Sequence, residues 1–126
     1  MPKGIIIIKW DNEVGAVLVA KYPDELKLAT KLFTNIYANH RIENTDPNFA
    51  TMTLRDSKIT SFFSGFGKNI IVIPNHVIAL VLRRDESPFK YKDVLKKSAA
   101  EILQNIKNEK YKKLLPKLYD EMLKSI

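Results

Sequence analysis

The stretch GIIIIKWDNEVGAVLVAKYPDEL, residues 4–26, decides how this chain begins to fold. Two runs rich in isoleucine and valine, residues 5–9 and 16–20, flank a short polar segment that ends in Gly15. Short, continuous apolar runs are typical of strands that are buried on both faces. Because so short a link allows only antiparallel pairing, the stretch predicts a β-hairpin, in which Gly15 can take a positive φ.

The motif YPDE, residues 22–25, predicts that a helix begins directly after the hairpin. Proline suits the first turn of a helix, and the two acidic residues complement the helix dipole. Apolar or aromatic residues then recur three or four positions apart as far as about residue 39, which is typical of an amphipathic helix. They are Leu26, Ala29, Phe33, Ile36, Tyr37 and His40.

The middle of the chain predicts three further strands. Residues 49–54 and 59–66 read as a pair joined by a tight turn at 55–58. Gly65 and Gly67 interrupt the second of these strands, which predicts a bulge or bend before it resumes at 69–73. Residues 77–82, with the sequence VIALVL, predict a central strand.

Two helices are predicted at the end of the chain, the first from about residue 89. Because a proline inside a helix costs ~3 kcal/mol, Pro116 predicts that the last helix begins near Leu115. The predicted order is therefore β-β-α-β-β-β-α-α, an α+β fold with a five-stranded antiparallel sheet. We expect one helix on one face of the sheet and two on the other.

The 126 residues, 45% of them hydrophobic and 28% charged, indicate a single domain over residues 1–126. The chain has no cysteine, which excludes a disulfide framework and a cysteine-based zinc site. No apolar run reaches the ~18–20 residues that span a bilayer, so we predict no transmembrane segment and a cytoplasmic location.

No motif for catalysis or for a cofactor emerges. The segment SGFGKN, residues 64–69, lacks the glycine spacing, the following Ser or Thr and the helix that a phosphate loop needs. His40 and His76 lack the spacing of a metal site or of a base beside a nucleophile. The acidic pairs lie in turns or at exposed helix positions, so they are not tuned for acid–base chemistry. We therefore predict a protein that is not an enzyme and holds no metal or cofactor.

The net charge of +7 raises two alternatives. Residues 88–126 hold ten lysines and five acidic residues, a balance of +5, and such an excess can favour nucleic acid, the ribosome or an anionic membrane. The lysines alternate with apolar positions at helical spacing, which favours the simpler interpretation of a solvated helix face. Binding to nucleic acid or the ribosome is kept as the alternative function, although we expect nucleic acid not to be the partner.

The order of elements resembles that of longin-like domains in the SNARE-like superfamily. The opening hairpin and the segment HVIALVLRRDESPFKYKDVLKKSAAEIL, residues 76–103, carry the resemblance. TRAPP-type subunits, small adaptor subunits and, more distantly, roadblock proteins are relatives of that family. Fusion SNAREs continue into a long heptad segment, whereas this sequence ends at Ile126, so we expect a stand-alone domain. The Ile- and Lys-rich composition is compatible with an archaeal source.

The resemblance implies a non-enzymatic adaptor that binds another protein in a small-GTPase-linked or membrane-trafficking-like assembly. The partner would be a small GTPase or another longin- or roadblock-like chain, and a homodimer is also implied. The equivalent surface would be the outer face of the first helix and the adjoining strand edge at residues 49–54, and a sheet edge is suited to strand addition. The residues predicted to bind the partner are Lys27, Lys31, Asn35, Phe49, Thr51 and Thr53.

Overall fold

The computed structural model describes residues 3–11, 13–41, 48–63, 76–105 and 110–124. Five strands and three α-helices follow one another in the predicted order, β-β-α-β-β-β-α-α. The strands are β1 (Gly4–Asp11), β2 (Gly15–Tyr22), β3 (Asn48–Thr53), β4 (Ser57–Phe63) and β5 (His76–Arg83). The helices are α1 (Thr30–Arg41), α2 (Lys92–Gln104) and α3 (Tyr111–Lys124), and a short 3₁₀ helix (Pro88–Tyr91) precedes α2.

The strands form one antiparallel sheet in the order β2-β1-β5-β4-β3. The prediction of a central strand is confirmed, since β5 is the middle strand and its residues from His76 to Leu82 are buried. The four consecutive isoleucines of β1 are also fully buried. Continuous apolar runs occupy the centre because both faces of these strands are covered.

Alternate side chains of the sheet enter two separate cores. Ile6 and Ile8 pack with Phe33 and Ile36 of α1 on one face, which we call the α1 face. Ile5 and Ile7 point the other way, because neighbouring residues of a strand alternate between faces. There they pack with residues of α2 and α3, and we call this the α2–α3 face. The predicted α+β fold, with one helix on one face and two on the other, is confirmed.

The first turn also forms as predicted. Gly15 has a φ of 89°, the left-handed region that favours glycine. The carboxylate of Asp11 accepts hydrogen bonds from the N–H groups of Glu13 and Val14, at 2.8 and 3.2 Å. These two bonds lower the pKa of Asp11. The tight turn predicted at 55–58 also forms, between β3 and β4, whereas the bend at Gly65 and Gly67 and the resumed strand at 69–73 lie outside the described residues.

The predicted start of the first helix is wrong. The helix begins at Thr30, and Pro23 instead follows β2 through a cis peptide bond and opens a turn in which Leu26 N–H donates to its carbonyl. Leu26 and Leu28 both pack against the α1-face core. Their two-residue spacing fits an extended segment and not a helix, so burial of both leucines overrides the helix-start signal.

The predicted start of the last helix is also wrong. It begins at Tyr111, and Pro116 is its sixth residue. Tyr111, Leu115, Leu118 and Met122 are all buried on one stripe against the sheet. Pro116 removes a single backbone donor. Burial of Tyr111 and Leu115 in the same core offsets that loss, and the stripe packs on the sheet and not on a membrane.

Candidate functional site

Strand β3 forms one edge of the sheet and offers backbone groups to a further strand. Leu54 N–H donates to Ser57 carbonyl at 2.8 Å, so these two residues form a hydrogen-bonded pair. In an antiparallel ladder such pairs alternate with non-bonded ones. The N–H and C=O groups of Phe49, Thr51 and Thr53 therefore point away from β4, towards the open edge. A long hydrogen bond from Asn39 Nδ2 to Thr51 carbonyl, at 3.4 Å, fits this direction.

The two edges of the sheet differ in how they are protected. Residues 49–54 read FATMTL, with neither a charge nor a proline. At the other edge, β2 contains Lys21, is followed by Pro23, and has a register irregularity opposite Ile7 and Ile8. Charges, prolines and bulges are the usual means by which edge strands avoid pairing with other chains. A proline lies just outside each strand, Pro23 after β2 and Pro47 before β3, but only β2 also carries a charge and a register irregularity, so β3 is the edge that is suited to accept a strand.

A groove runs beside this edge on the α2–α3 face, and we call it the β3 groove. Its volume is about 230 Å³. Its lining residues are Phe49, Ala50, Thr51, Thr60, Pro88, Phe89 and Lys92. Pockets for drug-sized ligands are usually ~300–1,000 Å³. The β3 groove is smaller, and its size suits one large side chain.

Phe89 and Lys92 form the outer wall of the β3 groove. The Phe89 side chain is 80% exposed, and among the large apolar residues that the structure describes only Val14, at 70%, is comparably exposed. The ammonium of Lys92 lies over the ring of Phe49, 5.2 Å from its centroid. Within the part of the chain that the structure describes, Lys92 has no carboxylate partner. The groove therefore combines exposed aromatic surface with a positive charge.

A hydrogen-bonded turn holds the wall of the groove in place. The carboxylate of Glu86 accepts a hydrogen bond from Arg83 N–H at 2.9 Å and another from the hydroxyl of Tyr91. Tyr91 is buried, and it ends the 3₁₀ helix that carries Phe89. Burial, followed by the contact with Glu86, raises the pKa of Tyr91, so its hydroxyl remains a donor at neutral pH.

Replacing Tyr91 by phenylalanine is expected to lower the free energy of unfolding by about 1 kcal/mol at pH 7. Desolvation raises the pKa of Glu86, but the hydrogen bonds from Tyr91 and Arg83, together with further contacts of its carboxylate, lower it, and the net effect is a pKa below 4.5. A lowered pKa contributes stability that is present above pH 4.5 and is lost as the pH falls through the folded-state pKa. The difference between wild type and Tyr91→Phe should therefore shrink in acid.

Urea denaturation of both proteins at a series of pH values measures this difference. Tyr111→Phe is the matched control, because the described residues provide no hydrogen bond to the Tyr111 hydroxyl. A difference between wild type and Tyr91→Phe that stays constant down to the acid limit would argue against the role of Glu86.

The structure places the six residues predicted to bind a partner in three locations. Phe49 and Thr51 line the β3 groove, and Thr53 follows on the same strand face. Lys31 and Asn35 are exposed on α1, on the opposite face of the sheet. Lys27 is exposed in the segment before α1, next to Leu26, whose carbonyl accepts a hydrogen bond from Lys21. The six residues therefore do not form one surface.

Sequence reasoning missed Phe89, Lys92 and Asn39 as parts of this site. The exposure of Phe89 could have been inferred from the sequence, because Phe89 precedes the apolar stripe of the following helix and does not share its periodicity. Nothing in the sequence distinguishes Lys92 from the other nine lysines in residues 88–126. Only the fold shows that both lie beside Phe49.

A second finding that the sequence did not predict is a buried pair of His40 and Ser61. His40 Nε2 lies 2.6 Å from Ser61 Oγ, and each residue is only 2% exposed. Phe63 packs against the imidazole, with 5.8 Å between ring centroids. A nucleophile and base must be reached by a substrate, and this pair lies between α1 and the sheet. We interpret it as a hydrogen-bonded core contact.

Another cavity, of about 440 Å³, lies at the opposite edge between β2 and α3. Its lining includes Leu18, Tyr22, Lys21, Lys112 and Pro116. Lys21 Nζ donates to Leu26 carbonyl at 2.7 Å, and Lys112 lies over the ring of Tyr111. The ammonium of Lys21 is thus hydrogen-bonded within the protein, and no described lining residue of this cavity is a large apolar side chain as exposed as Phe89, so the cavity offers less to a ligand than the β3 groove.

Neither metal-binding nor membrane-spanning features are found in the parts of the chain that the structure describes. No three His, Asp or Glu residues converge there as a metal site would require. None of the helices described is long and apolar enough to cross a membrane.

No protein-family model matches the chain, and no curated protein sequence matches it either.

Proposed function

We propose that this protein is a non-enzymatic protein-binding module that captures an extended segment of a partner along the edge of β3. The observation that carries the proposal is the open edge itself. Three residues, Phe49, Thr51 and Thr53, present their N–H and C=O groups outwards on a strand without charge or proline. Strand addition to such an edge uses main-chain hydrogen bonds for affinity and neighbouring pockets for specificity.

The order of elements supports an adaptor role. It is the order by which the chain resembles longin-like domains, and it suggests a place in a small-GTPase-linked or trafficking-like assembly. The partner in that case is a small GTPase or another chain of the same kind. Because the sequence lacks cysteine, it is compatible with the reducing cytoplasm, where we propose that this assembly acts.

The proposal is tested with a substitution that prevents a further strand from pairing with β3. Thr51→Pro removes an N–H group that points away from β4, so the ladder within the sheet keeps its hydrogen bonds. We expect the wild-type protein, used as bait in a lysate of its source organism, to retain a protein that Thr51→Pro loses. The retained protein should also slow amide hydrogen exchange at Phe49, Thr51 and Thr53.

Thr34→Ala serves as the matched control, because Thr34 is exposed on α1 and lies away from the β3 groove. It should retain the same protein as wild type. Equal retention by Thr51→Pro, or unchanged exchange along β3 in the complex, would contradict strand addition.

A second candidate function, binding of nucleic acid, is favoured by the surface of the last two helices. All nine described lysines between residues 88 and 124 are exposed. They are Lys90, Lys92, Lys96, Lys97, Lys110, Lys112, Lys113, Lys117 and Lys124. Binding through such lysines releases counterions, so its affinity falls steeply as salt rises. Retention of RNA or ribosomal proteins at low salt and their loss at higher salt, with Thr51→Pro unaffected, would support this alternative.

A further inference from the structure

The β3 groove also indicates what kind of segment would add to β3. We propose that the captured segment carries an aromatic side chain, which fills the groove, and a carboxylate two residues away on the same face, which pairs with Lys92. This inference rests on the proposed function, since it assumes that the segment adds as a strand. The occupant is then an extended, acidic and aromatic peptide segment of another protein.

The aromatic side chain follows from the position and lining of the groove. A strand added to β3 places every second side chain on the α2–α3 face, beside Phe49 and Thr51. There the groove offers the rings of Phe49 and Phe89 together with Pro88. Aromatic rings favour edge-to-face or offset contacts with one another, beyond the gain from burial alone. One ring in a volume of about 230 Å³ would cover much of the exposed Phe89 side chain.

The carboxylate follows from the charge at the same place. Lys92 is exposed and holds its ammonium over the Phe49 ring, which leaves the other side of the ammonium open. Asp93 is the next residue of α2, and successive residues of a helix project ~100° apart. Asp93 therefore does not neutralise Lys92 in the groove. A carboxylate two positions along the added strand is ~7 Å from the aromatic residue, within reach of the flexible lysine.

The charge of the whole protein favours an acidic segment over a second copy of the chain. With a net charge of +7, two copies repel each other, whereas an acidic segment is attracted before contact. The two faces of the added strand also differ in their surroundings. Its other face meets Asn39 of α1, whose amide already reaches the Thr51 carbonyl, so polar side chains suit that face.

The test uses an end-blocked, fluorescein-labelled heptapeptide, Thr-Phe-Thr-Glu-Thr-Val-Thr, measured by fluorescence anisotropy at low ionic strength. A second peptide replaces its glutamate by lysine, a third replaces its phenylalanine by alanine, and a fourth carries N-methyl groups on alternate amides. We expect wild type to bind the first peptide about five-fold more tightly than the lysine peptide. Loss of the peptide's aromatic ring should weaken binding roughly ten-fold, and N-methylation should abolish it.

Protein variants assign these preferences to the groove. Lys92→Glu should reverse the preference, so that the lysine peptide binds more tightly, and Phe89→Ala should remove the advantage of the aromatic peptide. Lys97→Glu is the matched control, because Lys97 is exposed on the same helix but does not line the groove. Because Lys97 lies away from the groove, the substitution should change the affinity for either charged peptide only slightly and leave their ranking unchanged.

The outcomes separate this inference from the proposed function. Binding that Thr51→Pro and N-methylation abolish, but that does not depend on the charge or the aromatic ring of the peptide, would overturn the inference alone. A wild-type dimer that Thr51→Pro dissociates would overturn it too, by showing a second copy on the edge. Failure of every peptide to bind, or binding that Thr51→Pro leaves intact, would overturn the inference together with strand addition.

Discussion

Truncating Phe63 to alanine is expected to lower the free energy of unfolding by about 3–5 kcal/mol. Phe63 is fully buried at the end of β4. Its ring packs edge-to-face against Tyr37 of α1, with 5.7 Å between centroids, and lies against His40. The substitution removes these contacts and leaves a cavity between α1 and the sheet, which the surrounding strands cannot fill without disturbing their ladder.

The matched control makes the same change at an exposed position. Phe89→Ala also removes an aromatic ring, but from a side chain that is 80% exposed, so the free energy of unfolding should change by less than about 0.5 kcal/mol. Urea denaturation followed by far-ultraviolet circular dichroism measures both variants. If Phe89→Ala were as destabilising as Phe63→Ala, Phe89 would belong to the core and not to an exposed groove wall.

Placing proline at two successive positions of β3 is expected to change the free energy of unfolding by very different amounts. Met52→Pro removes an N–H group that points to β4 in the pair of Met52 with Ile59, and should cost about 2–4 kcal/mol. Thr51→Pro removes an N–H group that points to the open edge, and should change the free energy of unfolding by less than about 1 kcal/mol. The difference arises because the N–H and C=O groups of successive residues in an antiparallel strand point alternately to one side of the strand and to the other.

The same denaturation measurement distinguishes the two variants, and it also decides whether Thr51→Pro is a fair test of binding. Equal destabilisation by both prolines would mean that the backbone N–H and C=O groups of Phe49, Thr51 and Thr53 do not point to the open edge. The proposed edge would then lose its main support. A folded Thr51→Pro beside a destabilised Met52→Pro would establish the register of β3 without any partner.

Most of the fold could be predicted from the sequence, because the decisive signals are local. The isoleucines of β1 and the VIALVL run of β5 are continuous apolar stretches, and such stretches belong at the centre of a covered sheet. The turn at Gly15 could also be predicted from a local signal, because glycine adopts the positive φ that the turn requires without steric cost. The order of elements then follows from the short links between strands.

The starts of two helices could not be predicted, because tertiary burial overrides the local signals there. Pro23 and its two acidic neighbours are typical of a helix start. Leu26 and Leu28 nevertheless lie in an extended segment, in which both side chains pack against the α1-face core. Pro116 is typical of a first turn, yet burial of Tyr111 extends α3 by a turn in the N-terminal direction. In both places the gain from burying apolar side chains exceeds the local preference.

The candidate site divides in the same way. An uncharged strand at residues 49–54 could be predicted from the sequence, because β-branched and aromatic residues without proline favour that structure. The fold is needed to show that β3 is an edge and that the backbone N–H and C=O groups of its odd-numbered residues point to the open side. It is also needed to show that Phe89 and Lys92 lie beside Phe49. Those facts depend on pairings between segments about 40 residues apart, and no local pattern encodes which distant surfaces will meet.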